Sequence, residues 1–87
     1  MKRYHLILTG QVQGVGMRYR LYQLARKYSI TGSCRNMTNG NVEVFIQGES
    51  TDAFLKEALQ NKGFIRINDY SLSNIPVIEN EKDFIVL

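Results

Sequence analysis

One cysteine, one histidine and one proline occur in the 87 residues, and each scarcity removes a class of chemistry. The lone Cys34 cannot close an internal disulfide, and no cysteine or histidine cluster has metal-ligand spacing. Cys34 is expected to be a small buried hydrophobe rather than a reactive thiol. His5 lies within a strand-like run with no partner that would make it a general base, and Asp52, Glu57 and Glu79 form no paired-carboxylate pattern. Long apolar runs are missing too. Nothing approaches the roughly 20 apolar residues that span a bilayer. At the N-terminus, MKRYHLILTG is apolar only from Leu6 to Leu8, too short for a signal peptide's hydrophobic region. The expected setting is cytoplasmic, with no membrane association.

What is present is ordinary globular material: 44% hydrophobic and 22% charged residues, with a formal net charge of +3. That composition folds rather than staying disordered, and its length predicts a single domain over residues 1–87 with a small, efficient core. A mild positive charge favours anionic ligands in general. The basic residues are scattered, unlike the dense patch of a nucleic-acid binder. A sheet that stacks RNA bases would need a K/R-G-F/Y-G/A-F-V-x-F/Y strand, and Gly40 to Gly48 supplies only Phe45. No nucleic-acid partner is expected.

Periodicity sets out the elements. Lys2 to Thr9 alternates as a strand, with Tyr4, Leu6 and Leu8 on one face. Met17, Leu21, Leu24, Ala25 and Tyr28 follow helical spacing, ending near Ser29. Thr31 to Met37 and Asn41 to Gln47 read as strands around an Asn39-Gly40 hairpin turn. Ser50 or Thr51 caps a second helix, which buries Phe54, Leu55, Ala58 and Leu59 and is predicted to stop at Gly63. A strand follows from about Phe64 to Leu72, Pro76 interrupts, and Asp83 to Leu87 closes the chain. Strand, helix, strand, strand, helix, strand is the split βαβ plan. The predicted fold class is α+β, a ferredoxin-like βαββαβ sandwich with an antiparallel sheet and two helices on one face. No heptad or long apolar patch is present, and a monomer is expected.

Between the first strand and first helix lies GQVQGVGMR, Gly10 to Arg18. Glycines tolerate positive φ and close approach, so successive N–H groups can form a nest for an anion at a helix N-terminus. Arg18, in the first helical turn, can grip phosphate oxygens with a planar fork of donors. The lysine and hydroxyl residue of a Walker loop are missing.

This stretch resembles the signature loop of the acylphosphatase family, usually GRVQGVGFR, and differs from it only at Gln11 and Met17. Gly32 to Val42, GSCRNMTNGNV, resembles the family's second signature, GxVxNxxDGxV. The resemblance covers almost the whole chain and implies the same fold. It also implies hydrolysis of a small-molecule acyl phosphate to carboxylate and inorganic phosphate, with no metal or cofactor. Arg18 and Asn36 fall on the family's catalytic positions, and the backbone N–H groups of Gly14, Val15, Gly16, Met17 and Arg18 would bind the phosphate. Gln11 stands where the family usually has arginine, Met17 for phenylalanine, Ser33 for an aromatic residue and Asn39 for aspartate. Related domains occur in carbamoyl-transfer maturation proteins, so the alternative is a non-catalytic module binding phosphate or carbamoyl phosphate.

Overall fold

A computed structural model describes residues 1–87. In chain order the elements are β1 (Lys2–Gln11), α1 (Met17–Lys27), β2 (Thr31–Asn36), β3 (Val42–Gly48), α2 (Thr51–Ala58), β4 (Arg66–Ile75) and β5 (Phe84–Val86). They build one sheet in the order β4-β1-β3-β2-β5. The first four strands pair antiparallel, as predicted, but β5 runs parallel to β2 and makes the sheet mixed. The chain reaches that edge from β4 through the segment around Pro76, and its direction there is set by that crossing.

Alternation along the central strands decides which face is buried. Leu6 and Leu8 of β1 and Val42, Val44 and Ile46 of β3 are fully buried. Met17, Leu21, Leu24 and Ala25 of α1 and Phe54, Leu55 and Ala58 of α2 complete one cluster with them. The opposite face carries His5, Ile7, Glu43 and Phe45, all partly covered. There the His5 and Phe45 rings stack at 4.7 Å across β1 and β3, an arrangement aromatic rings favour when offset.

Several predicted boundaries shift for local reasons. Strand β1 continues past Thr9 through a bulge at Thr9/Gly10 to Gln11. A Cβ on Gly10 would lie 2.2 Å from the Arg66 carbonyl oxygen, so Gly10 belongs to the tight β1–β4 contact rather than to the nest. The β2–β3 turn is wider than two residues. Met37 N–H donates to the Asn41 carbonyl at 2.8 Å, with Thr38, Asn39 and Gly40 between them. Ser50 is the N-cap of α2 without a side-chain bond, whereas Thr51 is the buried first helical residue. Helix α2 ends at Ala58, well before Gly63. Polar residues follow, and Asn61 Oδ1 accepts from Ile67 N–H at 2.9 Å, which favours a loop over continued helix. Strand β4 therefore begins at Arg66, leaving Phe64 exposed in the loop.

Candidate active site

The glycine loop turns the chain from β1 into α1. Gly14 and Gly16 both hold positive φ, 70° and 84°, and Gly16 is the helix N-cap in left-handed conformation. No side chain caps the helix and no acidic residue occupies its first turn. None of the backbone amides from Gly14 to Tyr19 donates a hydrogen bond to another protein group. Six successive donors with no partner, at the positive end of a helix, are a strong anion-attracting array.

Gln13 fixes the loop to the rest of the molecule. Its side-chain amide donates to the carbonyls of Met37 and Asn41 at 2.7 and 2.8 Å, the two residues that close the β2–β3 turn. The loop and the end of β2 are thus held together by one side chain. Sequence reading missed this residue; its only signal was an amide side chain among the glycines.

Arg18 is partly exposed, and its Nη1 donates to the Leu87 carbonyl oxygen at 2.7 Å. That bond holds the guanidinium against the chain just after β5 and leaves its other N–H groups without protein partners. Asn36 ends β2 on the same face as Cys34, the face that α1 covers. Its side chain is exposed and makes no hydrogen bond within the protein. A cleft of about 490 Å³ brings these groups together: Gly14, Gly16, Met17, Arg18 and Asn36 all line it. The side chain of Val15 does not; it packs against the core. Tyr19, Tyr22 and Val86 also line the cleft.

Cys34 lies directly beneath the first turn of α1, with its Sγ 3.9 Å from the Arg18 carbonyl. Burial pushes its thiol up to about 11, against the opposing charge of Arg18. At neutral pH it is a protonated packing group. No three histidine, cysteine, aspartate or glutamate side chains gather anywhere in the chain in a group that could hold a metal ion.

Fold and site together define a class: a ferredoxin-like α/β sandwich whose first helix opens from a glycine loop and shares a cleft with the end of the second strand. The chain belongs to the acylphosphatase family, whose model matches residues 4–86. It is 43% identical over 86 residues to the acylphosphatase of Clostridium beijerinckii, covering 97% of this chain and 96% of that one. Against the acylphosphatase of Clostridium acetobutylicum the identity is 40%, with 97% and 94% covered. The crystal structure of acylphosphatase from Bacillus subtilis superimposes with a TM-score of 0.92 at 28% identity, covering 100% of this chain and 99% of that one. Full-length HypF in its phosphate- and nucleotide-bound form matches with a TM-score of 0.89 at 26% identity, over 99% of this chain but only 12% of HypF.

Proposed function

We propose that this protein hydrolyses acyl phosphates to a carboxylate and inorganic phosphate, using the loop amides, Arg18 and Asn36. One observation carries the reading: the unpartnered amides from Gly14 to Tyr19, all but Val15 in residues that line the cleft shared with Arg18 and Asn36. Membership of the acylphosphatase family supports the same reaction in general terms.

The amides of Gly14 to Arg18 bind the phosphoryl oxygens, and the free N–H groups of Arg18 neutralise charge on the equatorial oxygens as the bond loosens. Asn36 accepts a hydrogen bond from a water molecule and holds it in line with the scissile P–O bond. The water oxygen bonds to phosphorus, the P–O bond to the acyl group breaks, and the electron pair leaves on the carboxylate. The water's protons end on phosphate oxygens. A carboxylate is a stable leaving group, so the step needs neither a general acid nor a metal to draw off charge. The protein acts as a monomer in the cytoplasm in this reading.

The likeness to a small part of HypF favours a second reading, a module that binds phosphate or carbamoyl phosphate without turnover. Incubation with benzoyl phosphate separates the two. Phosphate release well above the spontaneous rate, undiminished by a chelator, is expected; saturable binding with no release would assign the module instead.

A further inference from the structure

We infer that the part of the cleft beyond the phosphoryl site is an acyl subsite that prefers neutral apolar groups, aromatic ones above all. The inference rests on the phosphoryl site proposed above. At about 490 Å³ the cleft is far larger than a phosphate, and its remaining wall is mainly Tyr19, Tyr22 and Val86. Tyr22 stands one helical turn beyond Arg18, at the i+4 spacing that puts two side chains on one face. Val86 directly precedes Leu87, whose carbonyl holds the Arg18 guanidinium at 2.7 Å. An acyl group leaving the phosphoryl site along α1 therefore meets an aromatic ring on the helix and an aliphatic chain on β5. Tyr19 is 66% and Val86 43% exposed, so a ligand has apolar surface to cover there.

Charge sharpens the preference. Arg18 is the one charged side chain lining the cleft, and the phosphoryl group uses it. A second anionic group on the substrate finds no cation within the same cleft. The neighbouring cleft holds Arg26 and Lys82 and shares Tyr22 with the first, but Asp83 also lines it. Arg26 is moreover drawn over the Tyr22 ring, 6.0 Å from its centroid. Tyr22 thus separates an apolar subsite from a mixed-charge one.

Calorimetric titration with benzoylphosphonate, acetylphosphonate and succinoylphosphonate measures the preference without chemistry. Benzoylphosphonate should bind the unmodified protein roughly tenfold more tightly than acetylphosphonate, the scale of a well-matched apolar contact, and succinoylphosphonate no more tightly than acetylphosphonate. Tyr22→Ala should close most of the benzoyl-to-acetyl gap, and Tyr22→Phe should keep it. Equal affinities in the unmodified protein overturn the inference, whether or not Tyr22→Ala folds. A gap that survives in folded Tyr22→Ala does so too, and tightest binding of succinoylphosphonate would move the acyl group to the Arg26 and Lys82 side. Turnover of benzoyl phosphate with level affinities counts against this subsite alone. Absence of both turnover and binding counts against the phosphoryl site as well.

Discussion

In the proposed reaction Arg18 would serve structure and chemistry with different parts of one guanidinium. One N–H group holds the Leu87 carbonyl, and the others are left for a ligand. Arg18→Ala is expected to lower kcat/KM for benzoyl phosphate on the order of 10³-fold, by analogy with arginines that stabilise transferring phosphoryl groups. Asn36→Ala should cost about 10²-fold, the scale of one oriented polar group, with little change in thermal stability because the side chain is exposed and unbonded. Steady-state kinetics on both variants checks the pair, and turnover like that of the unmodified protein would remove the residue concerned from the mechanism. Cys34 makes the opposite kind of prediction. Buried, and with its thiol near 11, it should not react with a disulfide reagent at pH 8 until the protein is unfolded in urea. Rapid labelling of the native protein would contradict the assigned packing. That Arg18 and Asn36 share one cleft was legible because they sit at fixed places in two short motifs. The partners of Gln13 and Arg18 were not, because they are backbone carbonyls 24 to 69 residues away that no side-chain pattern announces.

Among the elements, the strand-to-helix loop is the one whose backbone would bind phosphate in the proposed reaction, so its geometry is testable apart from its side chains. Gly16 has φ of 84° with open space where a Cβ would go, so Gly16→Ala meets conformational strain alone. That strain is about 1–2 kcal/mol, and relieving it would rotate the amides that follow. Gly16→Ala should lose kcat/KM out of proportion to its loss in melting temperature. On the sheet's other face, Glu43 joins two strands: His5 Nε2 donates to one carboxylate oxygen at 2.8 Å and Arg35 Nε to the other at 2.7 Å. The hydrogen bond from His5, and secondarily Arg35, hold the Glu43 carboxyl below its ordinary 4.5, against the effect of burial. A carboxyl lowered by folding adds stability that is present above 4.5 and is lost as pH falls through the folded value. Glu57, bonded by Lys27 and Tyr28 between the helices, is lowered likewise and adds to the same acid limb. Glu43→Gln should therefore flatten the fall in urea stability below pH 4.5 without abolishing it. An unchanged slope would show that the ion pairs across β1, β2 and β3 add nothing. Periodicity found all seven elements, five through a buried apolar stripe or alternation, although β4 and β5 are largely exposed. It misplaced the end of α2 and the start of β4, where polar residues and a side-chain bond to the backbone decide the boundary.

At the scale of the whole molecule, the parallel strand β5 depends on a fastening that the sequence does not reveal. The segment after β4 crosses to the far edge of the sheet, and Gln47 grips it at Ile78 through both backbone groups, at 2.8 and 2.9 Å. Arg3, only 6% exposed on β1, donates to Glu81 Oε1 at 2.8 Å, and Thr31 donates to the same oxygen at 2.7 Å. Glu81 thus ties the crossing segment to β1 and β2, and β5 follows at Phe84 to bring Val86 to the cleft and the Leu87 carbonyl to Arg18. A buried arginine that loses its counter-charge is costly, whereas replacing both partners by apolar groups is often neutral. Because Glu81 keeps some contact with solvent, Glu81→Ala should cost about 2 kcal/mol and lower the melting temperature by roughly 10 °C. The Arg3→Met, Glu81→Leu double variant should recover most of that loss, since no orphaned charge remains. Its kcat/KM should still fall below that of the unmodified protein, because Thr31 has lost the shorter of its two hydrogen bonds and β5 is held less firmly beside Arg18. Thermal unfolding followed by circular dichroism, with benzoyl phosphate kinetics on the same samples, separates the two effects. Stability and activity recovering together would mean that the crossing segment holds the cleft by packing alone.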